Sequence, residues 1–472
     1  MDIAYLSRIT ILLGLLAVFT PCYPSDTTLD PALLLQTYLR IDSTNPPGNE
    51  VRATNFLADI LKAEGIDYET AEAAPGRVNL WARIKGGSEP GLLLLNHTDV
   101  VPADPDAWVA PPLGGEIRDG YIYGRGALDM KSQAIMQLLT FIALHKSAQP
   151  LNRDVVFMAT ADEENGSANG MGWLAANRPE VFEGIGFAMT EGGGGVVVNG
   201  QRFFGIEVAQ KYPVWLRIEA SGTPGHGSTP RNDAAVDRLL DALDKIRDHS
   251  FEPHIIPAVA AYFRQLARQF PGKLGLAFAD IQTAVADEKF NRNLKANIPQ
   301  LSALTRNTCA ITRLAGSDKV NVLPSLATAE VDCRLLPDQD ADEFIALLNQ
   351  IVNSADIRIE KILVHTPATS PVDTELFSVI REVLEKNYTG TNVGPSVSAG
   401  FTDSHYLRKR GIVSYGFTPA SVPLEDYAGI HGNNERISVE NMREGTLLLK
   451  EITEALVYAR REPDALSAEG TD

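Results

Sequence analysis

The segment LLLLNHTD, residues 92–99, decides the fold of this 472-residue chain. Four consecutive leucines before polar residues predict a strand that is buried on both faces, as in a parallel sheet. Val155–Ala159 and Gly186–Met189 are similar apolar runs. Open α/β sheets bind their ligands beyond the carboxyl ends of such strands. We therefore expect the polar residues that follow the three runs to meet at one edge of the sheet.

Histidine and carboxylate side chains follow these runs or stand in turn-rich segments elsewhere. They are His97, Asp99, Asp129, Glu163, Glu164, Glu191 and, far downstream, His431. Imidazoles and carboxylates suit Zn²⁺ or a similar divalent ion, and the set is large enough for two ions. The sequence therefore predicts a two-metal centre.

The spacing of these residues suggests separate roles. On an extended backbone, positions two apart share a face, so Asp99 can accept the second ring N–H of His97. Asp129 could serve as a helix cap, but a carboxylate can also offer one oxygen to each of two ions, which favours a bridging role. Adjacent Glu163 and Glu164 cannot face the same way on a regular strand. One can therefore bind metal while the other moves the proton of the attacking water.

Composition and pattern indicate a globular α/β protein with an insertion. The net charge of −18 argues against nucleic acid or an anionic membrane surface as the main partner. Strand and helix signals alternate through the first part of a catalytic domain, residues 28–212, and resume in its second part, residues 366–462. Residues 213–365 predict an inserted α+β domain. Residues 251–305, helical in composition but broken by prolines, are interpreted as a helical elaboration of that insertion.

Three further segments carry expectations. An apolar run at 9–19 after a basic residue predicts a signal peptide, residues 1–25, and a periplasmic or secreted protein, although an uncleaved run would anchor it to the membrane. Cys309 and Cys333 lie on predicted strands joined through a polar turn, so they could form a disulfide or remain two buried thiols. Gly192–Gly195 lacks the lysine of a phosphate cradle and predicts a turn.

Five segments resemble the M20 family of metallopeptidases and amidohydrolases, which includes aminoacylase and glutamate carboxypeptidase. They are Asn96–Pro102, Gly124–Lys131, Thr160–Gly166, Thr190–Gly192 and Gly429–Gly432. The resemblance covers nearly the whole mature chain. It implies a zinc-binding, exopeptidase-type α/β domain with an inserted ferredoxin-like lid.

The resemblance also implies a role for each metal-site residue. His97 and Glu191 would hold one zinc, Glu164 and His431 the other, and Asp129 would bridge them. Asp99 would orient His97, and Glu163 would be the general base. Cobalt or manganese could replace zinc at such ligands.

Other residues match family positions that contact substrate. His226, in the lid, matches a histidine that holds the substrate carbonyl and its oxyanion, sometimes across a dimer interface. Asn321 and Arg334 match positions that bind a substrate carboxylate. Gly400 lies in a segment similar to a substrate-side loop, where glycine permits close approach. His405, beside that segment, is interpreted as a structural histidine with satisfied hydrogen bonds.

The resulting expectation is a di-zinc hydrolase that cleaves an amide or peptide bond next to a free carboxylate. The long chain, export signal and large lid are most similar to the carboxypeptidase S and N-acyl-amino-acid hydrolase branch. Small peptides and N-acyl amino acids both remain as substrates, and a homodimer through the lid is an open expectation. The alternative is a non-catalytic binding protein of the same fold, but every central position carries a competent side chain.

Overall fold

The computed structural model describes residues 29–198, 200–270 and 272–458. The predicted signal peptide lies outside these residues. No helix in the described part of the chain is both long enough and apolar enough to cross a membrane.

The larger sheet has eight strands in the order β1-β2-β6-β3-β7-β16-β8-β15. These strands are β1 (Glu69–Ala74), β2 (Arg77–Ile84), β3 (Glu89–His97), β6 (Arg153–Thr160), β7 (Ile185–Val198), β8 (Gln201–Gln210), β15 (Asn392–Ser398) and β16 (Val413–Pro423). β3 pairs in parallel with β6 and β7, and β16 pairs in parallel with β7. The three apolar runs are therefore neighbouring parallel strands, as predicted.

Helices cover both faces of this sheet. One face packs against α1 (Pro31–Leu39), α2 (Glu50–Ala63), α3 (Lys131–Lys146), α12 (Glu375–Asn387) and α14 (Val439–Val457), and the other against α4 (Met171–Asn177) and α13 (Ser404–Lys409). Leu92 and Leu94 belong to the first core, and Leu93 and Leu95 to the second. Because successive strand residues face opposite sides, a continuous leucine run supplies both cores.

A second, four-stranded sheet has its own core. It comprises β9 (Tyr212–Ser221), β11 (Thr308–Ala315), β13 (Leu326–Leu335) and β14 (Ile357–Val364), in the order β11-β13-β9-β14. Helices α5 (Ala235–Asp248) and α11 (Ala341–Val352) pack against it. All its pairs are antiparallel, and the chain order is β-α-β-β-α-β, which is the ferredoxin-like arrangement.

Smaller elements complete the fold. They are the two-stranded sheet of β10 (Gly225–His226) and β12 (Val322–Leu323), the three-stranded sheet of β4 (Glu116–Arg118), β5 (Tyr121–Tyr123) and β17 (Arg436–Ser438), and 3-10 helices at Pro105–Ala107, Glu163–Asn165, Pro179–Phe182 and Leu424–Gly429.

The helical stretch within 251–305 packs differently from the expectation. Its helices are α6 (Pro257–Ala267), α7 (Lys273–Ala279), α8 (Ile281–Ala284), α9 (Glu288–Asn297) and α10 (Pro299–Ala303). Phe263 and Phe278 share the core of the eight-stranded sheet with Phe204 and Val397, and the core of the four-stranded sheet is separate. The stretch therefore extends the catalytic domain, because its apolar face covers strands β8 and β15, and the expectation of a lid elaboration was wrong.

The glycine run Gly192–Gly195 also differs from the predicted turn, because it lies inside β7. A Cβ atom on Gly193 would lie 2.4 Å from the carbonyl oxygens of both Gly205 and Gly416. The run is needed because neighbouring backbones approach β7 too closely for a side chain.

The two cysteines form a disulfide. Cys309 on β11 and Cys333 on β13 are direct cross-strand partners, and their sulfur atoms are bonded. Of the two alternatives that the sequence left open, the structure contains the disulfide.

Candidate metal centre and substrate-side residues

The predicted metal residues meet at one edge of the eight-stranded sheet. His97 ends β3 opposite Thr160, which ends β6. Glu163 and Glu164 follow in the 3-10 helix Glu163–Asn165 rather than on an extended strand. Glu191 lies on β7, beyond its last pairing with β3. The carboxyl ends of parallel strands thus bring these side chains together, as the sequence analysis expected.

Asp129 lies between the two histidines. Its Oδ1 is 3.1 Å from His97 Nε2, and its Oδ2 is 3.2 Å from His431 Nε2. Glu164 Oε2 is 3.0 Å from the same nitrogen of His431, and Glu191 Oε2 is 3.6 Å from His97 Nε2. The Asp129 carboxylate therefore lies between two imidazoles, each of which has a glutamate oxygen nearby.

The candidate ligand atoms form two overlapping groups. The atoms of His97, Asp129 and Glu164 lie within 4.8 Å of one another, and so do those of His97, Glu163 and Glu191. Glu163 is therefore close to the His97 and Glu191 side of the centre.

The electrostatics of this cluster favour a cation. Burial and the neighbouring charge of Asp129 raise the pKa of Glu191 to about 8 and that of Glu164 to about 7. Hydrogen bonds to Asp129 and Glu164 raise the pKa of His431 to about 10. Oε1 of Glu163 and Oε1 of Glu164 are buried without a hydrogen-bond partner among the described residues. Crowded carboxylates with unpartnered oxygens fit divalent metal ions.

Asp99 supports both His97 and the two glutamates. His97 Nδ1 lies 3.0 Å from the main-chain carbonyl oxygen of Asp99 and 3.6 Å from its carboxylate. The carboxylate accepts the backbone N–H groups of Glu163 and Glu164, each at 3.1 Å, and the side-chain amide of Asn45 at 2.8 Å. Asp99 thus touches His97 mainly through its main chain, and its side chain holds the glutamate turn.

Two supporting carboxylates did not emerge from the sequence analysis. Buried Asp403 accepts hydrogen bonds from the hydroxyls of Thr160 and Ser167. Buried Glu435 accepts the backbone N–H of Asp129 at 2.9 Å. Asp403 lies in the segment already noted around Gly400, and Glu435 lies four residues after His431, so proximity to the motifs was the available signal.

Arg334 lies at the predicted substrate-side loop. Its guanidinium carbon is 5.2 Å from the ring centroid of Phe401, the residue after exposed Gly400. It donates to Asp332 at 2.7 Å, whereas its Nη1 is buried without a partner among the described residues. One edge of the guanidinium thus remains unpaired.

The interpretation of His405 as a satisfied structural histidine was wrong in one respect. His405 stacks on His365 with ring centroids 4.0 Å apart, but its Nδ1 has no hydrogen-bond partner among the described residues. Burial lowers the pKa of His365 to about 4 and that of His405 to about 2. Both rings are therefore neutral near pH 7.

His226 and Asn321 are adjacent to each other but remote from Arg334. Gly227 N donates to Asn321 O at 2.8 Å, and both side chains are exposed. They lie beyond Leu326, at the opposite end of β13 from Arg334. The intervening strand spans about 27 Å. The structure therefore separates these two predicted substrate residues from Arg334.

A sequence model of peptidase family M20/M25/M40 matches residues 93–455. The chain belongs to this family. It is 29% identical over 367 residues to the N-fatty-acyl-amino acid synthase/hydrolase PM20D1 of Homo sapiens, a match that covers 75% of this chain and 72% of that protein. It is 28% identical to aminoacylase-1 of Sus scrofa, across 90% of this chain and 94% of that protein.

A solved M20 structure has the same fold. The M20 family metallo-carboxypeptidase Sso-CP2 from Sulfolobus solfataricus superposes with a TM-score of 0.70 and 21% identity, covering 90% of this chain and 99% of the other. Family membership and the ligand cluster identify this M20 protein as a metallo-hydrolase.

Proposed function

We propose that this M20 protein is a di-zinc amidohydrolase that cleaves an amide bond next to a free carboxylate. The observation that carries the proposal is Asp129, which presents one oxygen to His97 and the other to His431. The named relatives include an N-fatty-acyl-amino acid hydrolase and an aminoacylase. We therefore take N-acyl amino acids as the first substrate class and small peptides as the second.

The ligand set supports two metal ions. His97 and Glu191 would hold one, Glu164 and His431 the other, and Asp129 would bridge them. Mixed imidazole and carboxylate ligands suit Zn²⁺ best, although Co²⁺ and Mn²⁺ accept the same groups. When bound, the two ions would polarise the scissile carbonyl and lower the pKa of the attacking water.

Glu163 is the proposed general base. Its Oε1 has no partner among the described residues, and its backbone is held by Asp99. The carboxylate takes a proton from the attacking water as the water oxygen bonds to the carbonyl carbon. It then passes that proton to the nitrogen as the carbon–nitrogen bond breaks. The products are a carboxylic acid and a free amino acid.

Arg334 is the proposed receptor for the carboxylate of the substrate. Its unpaired Nη1 can donate to a carboxylate, and the planar guanidinium suits that group. Exposed Gly400, next to Phe401, leaves room for a ligand to approach the backbone. This contact would restrict the enzyme to substrates with a free carboxylate beside the amide.

A homodimer through the four-stranded domain would explain the position of His226 and Asn321. Both lie far from Arg334 within one chain, so a second copy must supply them if they contact substrate. Edge strand β11 exposes Ile311 and Leu314, which are 36% and 60% exposed, and no other described strand pairs with its outer side. We propose that two copies meet along this edge and that His226 donates to the oxyanion in the partner's site.

We also propose that the protein is exported, with residues 1–25 as the signal. Fractionation of expressing cells, followed by N-terminal sequencing, distinguishes a cleaved protein from an anchored one. An intact N-terminus in the cytosolic fraction would contradict export.

The substrate proposal is tested with zinc-loaded protein and a panel of N-acetyl amino acids, N-fatty-acyl amino acids and dipeptides. The same compounds with a carboxamide in place of the carboxylate are the matched controls. We expect turnover of the acids and at least tenfold lower kcat/KM for the carboxamides. Equal turnover of both series would contradict recognition by Arg334. No turnover despite two bound ions would favour a non-catalytic binding protein.

A further inference from the structure

Two turns that are far apart in the chain lie side by side next to the candidate metal centre. β5 and β17 pair in antiparallel register, with Tyr123 opposite Arg436. The turn after β5 leads to Asp129, and the turn before β17 contains His431. The side chains of Arg125, from the first turn, and Glu435, from the second, lie between them. Arg125 is 3% exposed and Glu435 is completely buried.

The Glu435 carboxylate accepts hydrogen bonds on both of its oxygens. Oε1 accepts the backbone N–H of Leu128 at 2.7 Å and that of Asp129 at 2.9 Å. Oε2 accepts the N–H of Gly126 at 3.0 Å and Nη1 of Arg125 at 2.8 Å. This one side chain therefore holds the turn that carries Asp129.

The Arg125 guanidinium holds the other turn. Nη2 donates to the carbonyl of Gly432 at 2.7 Å, and Nη1 donates to that of Gly429 at 3.2 Å. These carbonyls stand on either side of His431 in the chain. The guanidinium also lies over the ring of Trp108, 5.2 Å from its centroid, a cation–π contact.

We propose that Arg125 and Glu435 are positioning residues that set the placement of Asp129 relative to His431. The inference rests on the two-metal site of the proposed function. Asp129 and Glu435 are 306 residues apart in the chain, so their mutual position depends on tertiary contacts. A buried ion pair is by itself weak evidence for stability. Here, however, its hydrogen bonds are directed at the two turns that carry ligands, so its consequence is ligand geometry and metal affinity.

Two substitutions separate the contributions of the pair. Arg125→Lys keeps a positive charge beside Glu435 but loses the fork that reaches Gly429 and Gly432, so it should disturb His431. Glu435→Gln keeps size and shape but turns an NH₂ group toward either two backbone donors or a backbone donor and the guanidinium. It should disturb Asp129, which faces both ligand groups.

The test is a Zn²⁺ titration of metal-free protein in competition with a chromophoric chelator. It reports the affinity for each of the two equivalents of Zn²⁺ that the protein binds. Mutation of residues that support metal ligands typically lowers metal affinity 10–100-fold. We expect Arg125→Lys to weaken one equivalent by about 10–100-fold and leave the other within about threefold of wild type. Glu435→Gln should weaken both equivalents. The control is Arg153→Lys. Arg153 is another buried arginine, at the start of β6, and it pairs with Glu375. This variant should bind Zn²⁺ like wild type.

Several outcomes would overturn the inference. Wild-type affinity for both equivalents in Arg125→Lys and Glu435→Gln would show that the pair does not position the ligands. Equal weakening by Arg153→Lys would show a general effect of disturbing the fold. Circular dichroism of the metal-free proteins checks folding, and if Glu435→Gln fails to fold, Arg125→Lys decides alone. A wild-type protein that binds fewer than two ions would instead contradict the proposed function.

Discussion

Glu163 and Glu164 are consecutive residues that both lie near His97 but otherwise face different neighbours. Glu164 Oε2 lies 3.0 Å from His431 Nε2, whereas Glu163 groups with His97 and Glu191. Both backbone N–H groups donate to Asp99. The 3-10 helix Glu163–Asn165 separates the two side chains, and the Asp99 carboxylate holds the start of that helix. A shared support with divergent side chains fits the proposal that Glu164 binds metal and Glu163 moves a proton.

The first prediction compares the glutamine substitutions of these two glutamates. Glu163→Gln should retain two zinc ions and lose about 10²–10⁴-fold in kcat, because the amide cannot accept the proton of water. Glu164→Gln should lose zinc, because a charged ligand becomes a weak one. Metal analysis after desalting, beside initial rates, measures both effects. Loss of zinc from Glu163→Gln alone would show that Glu163 is the metal ligand and would contradict its role as the base.

The second prediction concerns His226 and the homodimer. His226→Ala and Glu163→Gln should each be nearly inactive. After subunit exchange in an equal mixture, half of the dimers contain one chain of each kind, and one of their two sites is intact. The mixture should therefore recover about a quarter of wild-type activity. Size-exclusion chromatography with light scattering gives the oligomeric state. A mixture that stays inactive although its subunits have exchanged would mean that His226 does not act across the interface.

The third prediction concerns the bond between Cys309 and Cys333. Denatured wild-type protein should show no more reactive thiols than the Cys309→Ser/Cys333→Ser variant before reduction, and two more after it. Because the bond closes a loop with a sequence separation of 24, the variant should lose about 2–4 kcal/mol of unfolding free energy. Urea denaturation with and without reductant measures this loss. The variant itself serves as the control, since reductant should not change its stability.

The fourth prediction concerns acid stability near His365 and His405. Their folded-state pKa values of about 4 and about 2 lie below the value of about 6.5 for an exposed histidine. The unfolded chain therefore binds protons that the folded chain does not, and stability falls as pH drops from about 6.5 towards 4. Each imidazole contributes at most about 1.4 kcal/mol per pH unit.

Nearby positive charge acts in the same direction. Arg334 adds to the effect of burial on His365, and His365, Lys409 and Arg408 add to it on His405. In urea denaturation at pH 7 and pH 5, His365→Phe should lose less stability on acidification than wild type. Exposed His145→Gln is the matched control and should behave like wild type. An unchanged pH dependence in His365→Phe would contradict a neutral, buried imidazole.

Much of the fold follows from local pattern. The apolar run at Leu92–Leu95 is continuous because both faces of β3 are covered, and that requirement is visible in the residues themselves. The polar residues after such strands must emerge at one edge, so the grouping of His97, Glu163 and Glu191 could be predicted as well. The helices at 257–303 could not be assigned to their domain, because an amphipathic pattern identifies an apolar face but not the sheet that it covers.

The sequence by itself determined which chemical groups are present at the strand ends, because strand periodicity and residue type are local properties. Only the tertiary structure decided how those groups pair. It alone placed Glu164 beside His431, brought the side chains of Arg125 and Glu435 between two turns that are far apart in the chain, and carried His226 away from Arg334. These relations depend on contacts between residues far apart in the chain, whose relative positions are set when the separate elements pack into one core.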